Sequence, residues 1–107
     1  MTPDIRGELA VQSLRMSGRL RIRAVGTSML PAIRPGTLLE IERIDGRDAR
    51  PGEVVLTAAG DRFFVHRVRK SGDGFVITRG DRHDHDDPPV RFEQVLGRVV
   101  GGDRRAK

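Results

Sequence analysis

The chain has 107 residues, 36% of them hydrophobic and none of them Trp or Tyr, which allows one domain with a modest aliphatic core and no second module. It has no cysteine, which excludes disulfides, thiolate metal sites and a cysteine nucleophile. A net charge of +5 suits a phosphate backbone or an anionic membrane surface, but twenty basic residues are mixed with fifteen acidic ones, the pattern of an evenly solvated surface.

The only aromatics, Phe63, Phe64, Phe75 and Phe92, are expected in the core, which leaves little support for base stacking on a nucleic acid. No apolar run approaches the roughly 20 residues of a membrane span, and MTPDIRGELAVQSLRMSG lacks the apolar centre of a secretory signal. The expectation is a soluble, cytoplasmic chain without transmembrane segment or signal peptide, with peripheral contact at a membrane left open. Oligomeric state leaves no trace in the sequence.

Leu9, Val11, Leu14 and Met16 are spaced for a short amphipathic helix over residues 5–16, ended by Gly18. From Arg19 the period becomes two: Leu20, Ile22 and Ala24 alternate with Arg19, Arg21 and Arg23, predicting a strand with a wet, cationic face. GTSMLPAIRPG, residues 26–36, then makes a turn that no regular element can run through. Gly26 frees the backbone, Pro31 and Pro35 restrict it, and Gly36 closes it. TLLEIER reads as a second strand and IDGRDARPG as a polar connection. EVVLT, DRFFVHRVRK and GFVITR read as three more strands, joined by tight hairpins at Ala59-Gly60-Asp61 and Ser71-Gly72-Asp73-Gly74. The loop GDRHDHDDPP and a last strand, VLGRVV, precede a charged tail. The pattern predicts a mainly β fold, a small folded sheet or barrel-like core with a short N-terminal helix. Its expected divisions are a helical segment over 1–18, a core over 19–101 and a tail over 102–107.

Ser28 is held at the bend. A serine so placed can present its hydroxyl to a cleft while its backbone N–H faces a carbonyl oxygen, as acyl transfer requires. N-cap chemistry favours an alternative equally, in which Ser28 caps a one-turn helix starting at Met29. In RFFVHRV, alternation puts Phe64, His66 and Val68 on one face, so His66 is expected to be partly buried and neutral, able to accept a hydroxyl proton. A core histidine that only ties backbone together fits the same pattern. The loop after Gly80 concentrates Asp81, His83, Asp84, His85, Asp86 and Asp87. Their contiguous spacing lets few converge, so neither a metal nor another cofactor is expected, and an Asp that orients His66 is the alternative.

Taken together, these residues resemble the signal peptidase I family and its LexA-like self-cleaving relatives. The resemblance covers residues 22 to 101 as ordered blocks: GTSMLPAIRPGTLLEI, RPGEVVL, FVHRV, FVITRGDRHDHDDPPV and QVLGRVV. It implies a folded β-sheet catalytic core and a serine peptidase that cuts precursor proteins or peptides. The common bacterial and LexA-like branch uses a lysine base, whereas His66-Arg67-Val68 resembles the endoplasmic-reticulum, archaeal and sporulation-type branch. Carried over residue by residue, the resemblance makes Ser28 the nucleophile, His66 the base and Asp87 the acidic member, with Asp86 its possible substitute. Asp81 supports the loop, Met29 of the Ser-Met pair binds substrate, and the Ser28 N–H with the Thr27 hydroxyl stabilises the oxyanion. Some members carry a hydroxyl two residues before the nucleophile, where this chain has Gly26. Lys70 shares strand parity with His66, but its place near a hairpin turn leaves its ammonium solvated and protonated.

A membrane anchor and a DNA-binding helical module are both expected to be missing, which favours a soluble processing peptidase over a housekeeping secretory enzyme or a repressor. The expected partner is a precursor peptide or protein, with no nucleic acid. The alternative is a catalytically inactive relative that binds peptides through the same cleft.

Overall fold

The computed structural model describes residues 2–4 and 7–103. Residues 5 and 6 of the expected helix and 104–107 of the expected tail lie outside them. The elements are β1 (Thr2–Asp4), α1 (Gly7–Ser17), β2 (Arg19–Val25), β3 (Leu38–Arg43), β4 (Val54–Ala59), β5 (Arg62–Ser71), β6 (Phe75–Arg79), β7 (Val90–Arg91) and β8 (Val95–Asp103). Short 3-10 turns occupy Gly46–Asp48 and Phe92–Gln94. The fold is mainly β, with one short helix.

All strand pairs are antiparallel, and the sheet order is β1-β2-β3-β8-β4-β5-β6-β7. The last strand therefore enters the middle of the sheet, between β3 and β4. Register shifts at Glu40/Ile41, Leu56/Thr57 and Val68/Lys70 bend the ladders. Such bulges increase local twist, which lets a single sheet curl over itself. Curling buries both faces of its middle. Leu56 and Val65 join Ile22, Leu39 and Ile41 in one cluster, while Val55 and Val68 join Val76 and Val95 in another.

The core is aliphatic, and the four Phe side chains expected inside it are all only half-buried. In α1, Leu14 is 2% exposed whereas Leu9 and Met16 are 66% and 81% exposed, so among the described side chains of the helix Leu14 is the anchor. The N-terminal segment is not wholly helical, since β1 adds a strand along the edge of β2. It places Thr2 opposite Val25 and also packs against β5.

Candidate active site

Between β2 and β3 the chain leaves the sheet and returns through a compact turn. Gly26 has φ +89, a left-handed backbone that side chains rarely adopt. A residue with a hydroxyl side chain would be strained there, which accounts for glycine at that position. The turn is closed by the Leu30 N–H to the Thr27 carbonyl at 3.1 Å, the Ile33 N–H to the Met29 carbonyl at 2.9 Å, and the Gly36 N–H to the Ala24 carbonyl at 2.7 Å. Leu30-Pro31 is cis.

Ser28 brings its hydroxyl to the imidazole of His66. Its Oγ lies 3.1 Å from His66 Nε2, and His66 Nδ1 lies 2.5 Å from Asp87 Oδ2. A carboxylate only accepts hydrogen bonds, so Nδ1 carries the proton and Nε2 turns its lone pair toward the Ser28 hydroxyl. Asp87 is itself fixed twice to Thr78: its Oδ2 accepts from the Thr78 hydroxyl at 2.7 Å, and its N–H donates to the Thr78 carbonyl at 2.8 Å. Thr78 stands opposite Val68 in the β5–β6 ladder, so the sheet holds the imidazole and the partner of its carboxylate at adjacent positions.

The His66 side chain is 6% exposed and that of Asp87 24%. Burial pushes the imidazole below its ordinary value, and the hydrogen bond to Asp87 recovers part of that shift. The neutral ring therefore persists to lower pH than in a free histidine.

Asp81 forms a two-pronged ion pair with Arg67, both contacts at 2.8 Å, and Arg67 also donates to the Gly52 carbonyl at 2.8 Å. This pair ties the loop to β5 one residue beyond His66. The loop in turn holds the serine, because the Arg82 N–H donates to the Ser28 carbonyl at 2.8 Å. Gly80 packs so closely there that a Cβ on it would lie 2.9 Å from the Ser28 carbonyl oxygen and 3.1 Å from the Ser28 Cβ.

Asp86 takes no part in this arrangement. Its Oδ1 accepts from Arg69 at 3.3 Å and Arg79 at 2.9 Å. Met29, assigned to substrate binding, is fully buried beneath the turn, where its sulfur accepts the Asp81 N–H at 3.3 Å. It supports the site from inside rather than lining it. Thr27 is exposed beside Ser28, and Lys70 is exposed beyond the β5 bulge.

Sequence reasoning missed three contributors. Thr78 shares strand parity with Val76 in FVITR, which signals an inward face but not a carboxylate partner. Arg67 was read as part of the His66-Arg67-Val68 motif, with no pairing to Asp81 expected. The exposed His83 ring stands edge-on to His66 with centroids 5.5 Å apart, a contact that loop spacing does not encode. Among the described residues, no group of three or more His, Asp or Glu is arranged to hold a metal ion.

The family model described as Peptidase S24-like matches residues 8–100, which include every residue of this hydrogen-bonded line. The chain belongs to the Peptidase S24-like family. No curated protein matches it. Membership in this family supports a serine peptidase in general, or a relative that shares its fold, and it agrees with the folded sheet built around the Ser28 turn. No described helix is long and apolar enough to cross a membrane.

Proposed function

We propose that the protein is a serine endopeptidase of the signal peptidase I-like type, which cleaves a precursor protein or peptide with Ser28, His66 and Asp87. The observation that carries this reading is the Ser28–His66–Asp87 line, with heavy-atom separations of 3.1 Å and 2.5 Å. Ser28 Oγ attacks the scissile carbonyl carbon while its proton passes to His66 Nε2. Asp87 holds the ring in the required tautomer and stabilises the imidazolium. The tetrahedral oxyanion is received by the Ser28 N–H and the Thr27 hydroxyl. His66 then protonates the leaving amine as the C–N bond breaks, which leaves Ser28 acylated. A water, deprotonated by His66, hydrolyses the ester and restores the hydroxyl.

Incubation with candidate precursors is expected to give fragments with the wild-type chain and none above background with Ser28→Ala or His66→Ala. Cleavage that survives either change overturns the proposal. Tight peptide binding without an acyl-enzyme, read by intact mass, would instead identify a peptide-binding relative without activity. Gly26, in the place of a hydroxyl residue, is the feature that favours this second reading.

A further inference from the structure

Two hydrogen bonds hold the His66 imidazole, Nδ1 on Asp87 and Nε2 on Ser28. A hydrogen bond tolerates roughly 30° of bending before it weakens, and the torsion that turns a histidine ring is itself broad. These bonds alone therefore leave the ring free to tilt, and a tilt swings the Nε2 lone pair off the hydroxyl.

Two aromatic rings meet the imidazole. Phe64, on β5, is tilted by 45° with centroids 6.0 Å apart. His83, on the loop, stands edge-on at 89° and 5.5 Å, close to the perpendicular arrangement that aromatic pairs favour. His83 is held in turn: its N–H donates to the Gly80 carbonyl at 2.9 Å, and its ring lies within 3° of parallel to that of His85. Its Nδ1 is 3.0 Å from the point where a Cβ on Gly80 would stand, and that point is 3.1 Å from the Ser28 Cβ. The ring therefore covers Gly80 beside both Ser28 and His66. Because His83 is exposed whereas the His66 side chain is only 6% exposed, it forms part of the wall between the base and water.

We infer that His83 is a positioning residue of the general base, whose ring packs edge-on against His66 to keep Nε2 aimed at the Ser28 hydroxyl and water off the imidazole. The inference rests on the peptidase reading for its effect on rate and adds a residue to it. The role is that of a flat ring, so phenylalanine can fill it.

The test compares His83→Ala, which removes the ring, with His83→Phe, which keeps it. Hydrolysis of p-nitrophenyl acetate is followed at about pH 8, where the imidazole of every variant is neutral. In His83→Ala, kcat is expected to fall at least about tenfold with KM within about twofold, since a misplacement of about 1 Å can cost ~10² in the chemical step. In His83→Phe, kcat returns to within about threefold of wild type.

The second readout is the titration of His66, followed by NMR of its ring. Burial is the main cause of its low pKa, while Asp87 raises it and His83 lowers it. Water reaches the ring in His83→Ala, so His66 is expected to titrate nearer to the ~6.5 of a free imidazole, and in His83→Phe to stay below its value in His83→Ala. Asp87, the Asp84–His85 pair and the Arg67–Asp81 pair are common to both variants, so the difference reports the ring. Thermal unfolding verifies that both variants fold. In an active chain, either readout unmoved in His83→Ala overturns the inference, as does a His83→Phe variant that behaves like His83→Ala. If wild type hydrolyses neither ester nor peptide while the two titrations separate as stated, the peptidase reading fails and the positioning contact stands.

Discussion

Asp87→Asn keeps the shape of the side chain but lets its amide donate to Nδ1, which favours the tautomer that cannot accept the Ser28 proton. Peptide kcat/KM is expected to fall by about 10⁴, the loss this change causes in a serine-peptidase triad. The pH profile gives an independent reading. Burial lowers the His66 pKa, so the acid limb of kcat/KM lies below the ~6.5 of a free imidazole, with activity lost as pH falls through it. Asp87 raises that pKa, so the limb in Asp87→Asn moves further toward acid. A limb that moves toward neutral pH would contradict the geometry. Gly80→Ala tests the support under the nucleophile, since its Cβ would press on Ser28. It is expected to cost ~1–3 kcal/mol in denaturant unfolding, as overpacking does, and to lower kcat beyond what that loss explains. The family resemblance named Asp87 with Asp86 as its possible substitute, but the residue pattern alone did not separate the two. An irregular loop has no period from which the inward member of an adjacent pair can be read.

Among the elements, β5 was the most legible, because its alternation assigns Val65 to one face and His66 with Val68 to the other. The fold places Val65 and Val68 in different core clusters. The amphipathic spacing of α1 announced a helix but overstated its buried face. Leu14 alone of its four expected apolar contacts is fully buried, whereas Leu9 and Met16 stay in solvent. Leu14→Ala is therefore expected to destabilise the protein by ~2–5 kcal/mol, while Leu9→Ala and Met16→Ala stay within about 0.5 kcal/mol. Urea unfolding of the three variants measures this directly. Equal losses would mean that the helix packs along its whole length. β1 had no sequence signal, since three residues do not establish a period and its pairing depends on the free edge that β2 offers.

At the scale of the whole molecule, the two core clusters lie on opposite faces of one continuous sheet, and β4 contributes to both. Val55→Ala and Leu56→Ala, one on each face, are expected to lower the midpoint of the same single thermal transition. Each kcal/mol lost corresponds to roughly 4–8 °C in a domain of this size. Two separable transitions would show that the halves unfold independently. Alternation and punctuation by Gly and Pro are local properties, so the sequence by itself determined the strands other than β1 and β7, the hairpins, the bend at Ser28 and the parity of His66. Closure is not local. Ser28 and His66 are 38 positions apart, and their meeting at 3.1 Å, the selection of Asp87, the withdrawal of Met29 into the core and the approach of His83 to His66 were decided by how the bulged sheet curls. That curl depends on register and packing between distant strands, and residue periodicity along one strand carries no record of it.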